Sequence, residues 1–90
     1  MCTMIAEKAA VTGSGKGTSS WIKVNQVNVS YDHPSHMTME HALNIDFVDE
    51  SQGLGARIAV ELTPQSAQRL VELINTALDR GAAVDPVAFE

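Results

Sequence analysis

The chain has 90 residues, 44% of them hydrophobic and 19% charged, and a formal net charge of −5. That length makes one small domain able to bury roughly 60–65% of its unfolded surface, and the apolar share excludes a disordered chain. The six basic residues, Lys8, Lys16, Lys23, Arg57, Arg69 and Arg80, form no run, which excludes the electrostatic footprint of a nucleic-acid binder or of a protein that lies on an anionic membrane.

In chain order, Cys2 comes first. It is the single cysteine, so an internal disulfide is excluded and a reducing cytoplasm is expected. Lys8 interrupts the N-terminal apolar residues before any signal-peptide core forms. No later run approaches the roughly 20 apolar residues of a membrane helix. Thr3 to Val11 reads as a first strand that ends in the turn Gly13-Ser14-Gly15-Lys16-Gly17. A nucleotide-binding loop would need Gly-Lys followed by Ser or Thr and then a helix. Here Gly17 follows Lys16 and a strand follows the loop, so the reading is a flexible hairpin whose lysine could touch an anion.

Trp21 to Tyr31 reads as a second strand with a parity conflict. Ile22 and Val24 share one parity, while Val27, Val29 and Tyr31 share the other. Either a bulge near Asn25-Gln26 returns them to one face, or both faces are partly covered. Ala42 to Val48 is a third strand with Leu43, Ile45 and Phe47 inward. Asp49 to Gly55 is a turn, and Ala56 to Leu62 is a fourth strand with Ile58, Val60 and Leu62 inward. A helix follows, with Thr63 as N-cap, Pro64 at its first position and Gly81 at its C-terminal cap. Ala67, Leu70, Val71, Ile74, Ala77 and Leu78 form its apolar stripe. The fold expected is α+β: a four-stranded antiparallel sheet with one C-terminal helix packed on one face. One domain spans residues 1–81 and an arm spans 82–90. The thin core favours a homodimer.

The chemistry concentrates between the second and third strands, in Asp32-His33-Pro34-Ser35-His36-Met37-Thr38-Met39-Glu40-His41, which holds all three histidines. Imidazole titrates near neutrality and is the commonest metal ligand. His33, His36 and His41 are candidate nitrogen ligands for a divalent zinc, copper, nickel or iron ion, and Glu40 or Asp32 is the carboxylate that could complete the shell. Cys2 could join only if the first strand lies beside this loop. Parity complicates the set: His41 shares a face with Leu43, Ile45 and Phe47, whereas Glu40 shares one with Asn44 and Asp46. The competing reading is a loop with two solvated histidines and one core histidine. Met37 and Met39 read as filler of irregular gaps.

The strings Met1-Cys2-Thr3, Glu7-Lys8, Gly13-Ser14-Gly15-Lys16-Gly17, Tyr31-Asp32-His33-Pro34 and Glu40-His41-Ala42-Leu43-Asn44-Ile45-Asp46-Phe47 resemble a family of short bacterial proteins. These occur mainly in actinomycetes and are catalogued as a domain of unknown function. The resemblance runs to about Gly81 and leaves the tail outside it. It implies a bacterial cytoplasmic protein and supplies no activity. Three functions follow from the residues themselves: a small metal- or ligand-binding protein built on the histidine loop, a non-catalytic dimeric interaction module that uses the open sheet face, or a small enzyme with His41 as acid/base.

Overall fold

The computed structural model describes residues 5–89, the side chains at 53–55 aside. Four strands, β1 (Ile5–Lys16), β2 (Trp21–Asp32), β3 (Ala42–Val48) and β4 (Arg57–Leu62), precede one helix, α1 (Pro64–Val84). The strands pair in sequence order as an antiparallel meander. The α+β arrangement expected from the sequence is the one observed. Among the described residues no helix is long and apolar enough to cross a membrane.

Period-2 alternation sorts the sheet into two faces. Cross-strand pairing aligns Tyr31, Leu43 and Leu62, then Val29, Ile45 and Val60, then Val27, Phe47 and Ile58, on one face. The other carries Asn28, Ser30, Asn44, Asp46, Arg57 and Glu61. The parity conflict of β2 is resolved by an irregularity in the ladder. Between Ala10 and Gly13 the register shifts, so Val11 and Thr12 stand opposite Asn25 alone. Beyond it Val24 joins Val27, Phe47 and Ile58 around one hollow of the apolar face, and Val24 is only 6% exposed.

β1 runs further than its composition suggests. Ser14, Gly15 and Lys16 pair with Lys23, Ile22 and Trp21, and the turn is confined to Gly17–Ser20, closed by the Gly17 N–H donating to the Ser20 carbonyl at 2.8 Å. Gly15 permits this packing: a Cβ there would stand 2.7 Å from Ile58 Cδ1 and 3.4 Å from Val24 Cγ2. After β3 the chain makes a 3-10 helix, Glu50–Gly55, capped by the Asp49 carboxylate. That carboxylate accepts from the Ser51 N–H at 3.1 Å, the Ser51 hydroxyl at 2.6 Å and Asn25 Nδ2 at 3.1 Å. The Ser51 bonds and the nearby Lys23 charge hold the Asp49 carboxyl below its ordinary range, against the opposing effect of burial.

Thr63 caps α1 as its residue type predicts, its hydroxyl accepting from the Ser66 N–H at 3.1 Å. The far end differs from the sequence expectation. Gly81 lies inside the helix and the cap is Asp85, whose N–H donates to the Gly81 carbonyl. A 3-10 turn, Pro86–Phe89, then folds back and sets the Phe89 ring 3.5 Å from where a Gly81 Cβ would be. The glycine serves as a socket for an aromatic ring rather than as a stop signal.

α1 meets the sheet chiefly over β3 and β4, and no helix residue is buried. Among the described residues the buried apolar side chains are Val24 and Ala42, and no large side chain is fully buried. The radius of gyration is 14.9 Å, against about 12 Å for a compact chain of this length.

Candidate functional site

The histidine loop begins where the β2–β3 ladder ends. Asp32 pairs with Ala42, so His33 and His41 occupy the next facing positions, and backbone alternation puts them on the face of Tyr31 and Leu43. Their rings stack, with centroids 4.9 Å apart and planes inclined by 25°. His41 also stacks on Tyr31, at 5.6 Å and 20°. Three rings therefore form a short column at the end of the apolar face. His33 is oriented by its Nδ1, 2.8 Å from the Glu40 carbonyl, and its N–H donates to Asp32 Oδ1 at 2.6 Å.

Between these two histidines the chain swings to the opposite face. The N–H groups of Ser35, His36 and Met37 all donate to the Glu61 carboxylate: Ser35 to Oε2 at 2.5 Å, His36 to Oε1 and Oε2 at 3.1 and 3.2 Å, and Met37 to Oε1 at 3.0 Å. Glu61 pairs with Asn44 across the ladder and so belongs to the polar face. The Met37 and Ser35 amides are the main reason its carboxyl is held below the ordinary range; partial burial opposes them, and the His36 amide and side chain add to them. Ala42, beside this crossing, is completely buried. The Asn44 Oδ1 atom nearby is buried with no hydrogen-bond partner, although its Nδ2 donates to the Asp32 carbonyl at 3.4 Å.

The loop thus brings His33 to His41 and holds His36 by its backbone over Glu61. Asp32 is half-buried and engaged by the neighbouring His33 amide. Glu40 contributes its carbonyl to His33, and its residue is exposed. Stacked imidazoles hold their ring-nitrogen lone pairs in nearly parallel planes, a poor arrangement for two bonds of about 2 Å to one ion. Among the described residues no three His, Cys, Asp or Glu side chains form a group that could hold a metal ion. Cys2 lies outside the described residues.

The residue that sequence reasoning missed is Glu61. Alternation along β4 puts it on the face opposite Val60 and Leu62, but its partners lie 24–26 residues away in the chain and no local pattern announces them. The open backbone amides of a proline-broken loop were the one available signal, since such groups need acceptors.

The apolar face holds two further features. Where α1 stands off the sheet, a groove of about 440 Å³ runs between Val29, Tyr31, Leu43 and Ile45 below and Leu70, Val71 and Ile74 above. Towards the other end of the same face an uncovered hollow of about 510 Å³ is lined by Val11, Gly13, Gly15, Val24, Val27, Phe47 and Ile58. The groove's walls are almost wholly apolar, and Tyr31 joins it to the ring column.

No curated protein and no solved structure matches the chain. One family does, and its match extends past Gly81 to take in most of the tail: the chain belongs to the family of unknown function DUF6295, which matches residues 1–87.

Proposed function

We propose that this protein is a non-catalytic interaction module whose first partner is a second copy of itself, joined through the apolar face of sheet and helix. The observation that carries the reading is surface area. The chain exposes 6924 Å². A compact monomer of 9.6 kDa exposes about 5,100 Å² by the usual mass scaling, so the excess is roughly 1,800 Å². A standard interface removes about 800 Å² from each partner, and obligate homodimers remove more. A small ligand in the groove would cover far less than the excess, so magnitude favours a protein surface over a small molecule as the principal occupant.

The identity of the exposed groups supports the same reading. Leu70, Val71, Leu73, Ile74 and Leu78 are all exposed on one helix, and contiguous apolar patches of this kind mark interaction sites. The histidine loop then has a structural role: it closes the sheet end, with the Glu61 carboxylate as its anchor on one face and the ring column as its finish on the other.

Sedimentation equilibrium of the untagged chain tests the proposal. The expected result is a dimer with a concentration-dependent melting temperature. A monomer across the accessible concentration range sinks it. Metal analysis of the same sample separates the rival: stoichiometric zinc, copper, nickel or iron, lost on His36→Ala, would restore a metal site on the loop.

A further inference from the structure

We infer that the C-terminal half of α1 in one copy seats in the open hollow of a second copy, with the reciprocal contact made at the same time. The inference rests on the self-association reading and specifies which surfaces meet.

Two unfilled surfaces of matching character lie on the same chain. The 21-residue helix is about 31 Å long, yet only Pro64 to Ile74 line its own groove. Beyond them Leu78 is 48% exposed and Val84 is 86% exposed. The hollow lies towards the other end of the apolar face and draws most of its lining from β1 and β2, strands that α1 scarcely meets. One surface is an apolar helix end, Leu78 with the Phe89 ring seated beside it on Gly81, that scarcely meets the sheet, and the other is an apolar floor that nothing covers.

The floor is shaped to receive side chains. Nothing lies within 4 Å of a Cβ built on Gly13, so that position leaves room above the strand where a leucine from another molecule can enter. Charge agrees weakly in sign: Lys16 lines the hollow, and the helix end carries Asp79 and Asp85 against a single basic residue, Arg80. Reciprocity follows from closure. Two copies related by a two-fold axis fill both hollows with both helix ends, whereas a single contact would leave a free helix end and a free hollow to propagate into a filament.

Isotope-filtered NOE spectroscopy on a mixture of labelled and unlabelled chains tests the arrangement, read beside the sedimentation result. Contacts between Leu78 methyls of one copy and Val27 or Phe47 of the other are expected. A dimer whose intermolecular contacts lie elsewhere, for instance between β1 edges, overturns this arrangement and leaves self-association standing. A monomer overturns both. Leu78 contacts to Val27 within one chain would show the helix closing on its own sheet, and would also overturn the proposal. Gly13→Leu supplies a second readout, because the free copy has space for the side chain while the docked helix does not. Self-association about tenfold weaker or worse, with unchanged circular dichroism, is expected, and wild-type dimerisation of Gly13→Leu counts against the inference.

Discussion

The two faces of the sheet differ in how far their chemistry is completed within one chain. On the polar face the Glu61 carboxylate gathers the amides of Ser35, His36 and Met37, and at the sheet's other end Asp49 gathers Ser51 and Asn25. Both corners place an ionised acceptor where a loop would otherwise leave open amides, which is the stronger kind of hydrogen bond. On the apolar face the helix stands off, a groove and a hollow remain, and no large side chain among the described residues is fully buried. Loop amides here find carboxylates in the same molecule, while apolar groups are left with surface to spare. The difference teaches that the loops are finished within one chain, whereas the apolar face is left open in it, which is the surface the proposed self-association would use.

The contrast breaks first, and with the largest effect, if apolar and polar substitutions behave alike. Ile74→Asp places a charge in the apolar face and removes a side chain worth about 1.5–3 kcal/mol on burial. Its dimer should dissociate at least tenfold more readily by sedimentation, while Ala59→Asp, exposed on the polar face, should leave dissociation unchanged. Equal effects from both would remove the distinction between the faces.

Glycines within the hollow provide the next measure. Gly15→Ala forces the tip of Ile58 to move and should cost about 1 kcal/mol, at the low end for overpacking because the obstructing atom ends a flexible side chain. Gly13→Ala meets open space and should be neutral or mildly stabilising in the folded copy. Thermal melts at one protein concentration give the comparison. A similar cost, about 1 kcal/mol, is expected from Thr63→Ala, which removes the helix cap.

The smallest effect belongs to the polar face and depends on pH. The Glu61 and Asp49 carboxyls are held lower in the folded chain than in the unfolded one, so the folded state binds fewer protons at both. Their contribution is fully present above the ordinary carboxylate range and drains away as pH falls through their depressed folded values. Glu61→Gln keeps an acceptor and loses the charge. It should flatten part of this acid dependence and speed amide exchange at Ser35, His36 and Met37 without altering dimerisation at neutral pH. Unchanged exchange at those three amides would show that Glu61 does not anchor the loop.

What was legible in the sequence was what local chemistry decides. The alternation of β3 and β4 and the Thr63 cap read correctly, because each depends on neighbours within a few residues; the parity conflict pointed to an irregularity near Asn25, but its extra residue lies across the ladder in β1. His41 shares the inward face of Leu43, as its parity predicts, and from the position just before β3 it stacks on Tyr31. The division of the three histidines was not legible. His33 joins His41 because the ladder register carries one position past Asp32, and His36 departs because Glu61 attracts its backbone from β4. Register and long-range acceptors belong to the tertiary structure. The end of α1 escaped for a related reason: Gly81 satisfies the helix-stop rule by composition, but the Phe89 ring packs where its side chain would be.

The strand order carries a consequence for biosynthesis. In a meander each strand pairs with the one made just before it, so the sheet can form in sequence as the chain leaves the ribosome, where synthesis proceeds at about 5–20 residues per second. The helix is made after the four strands, so its apolar side emerges only once the sheet is complete. A nascent chain therefore displays its apolar sheet face before it owns the helix that the proposed self-association would use.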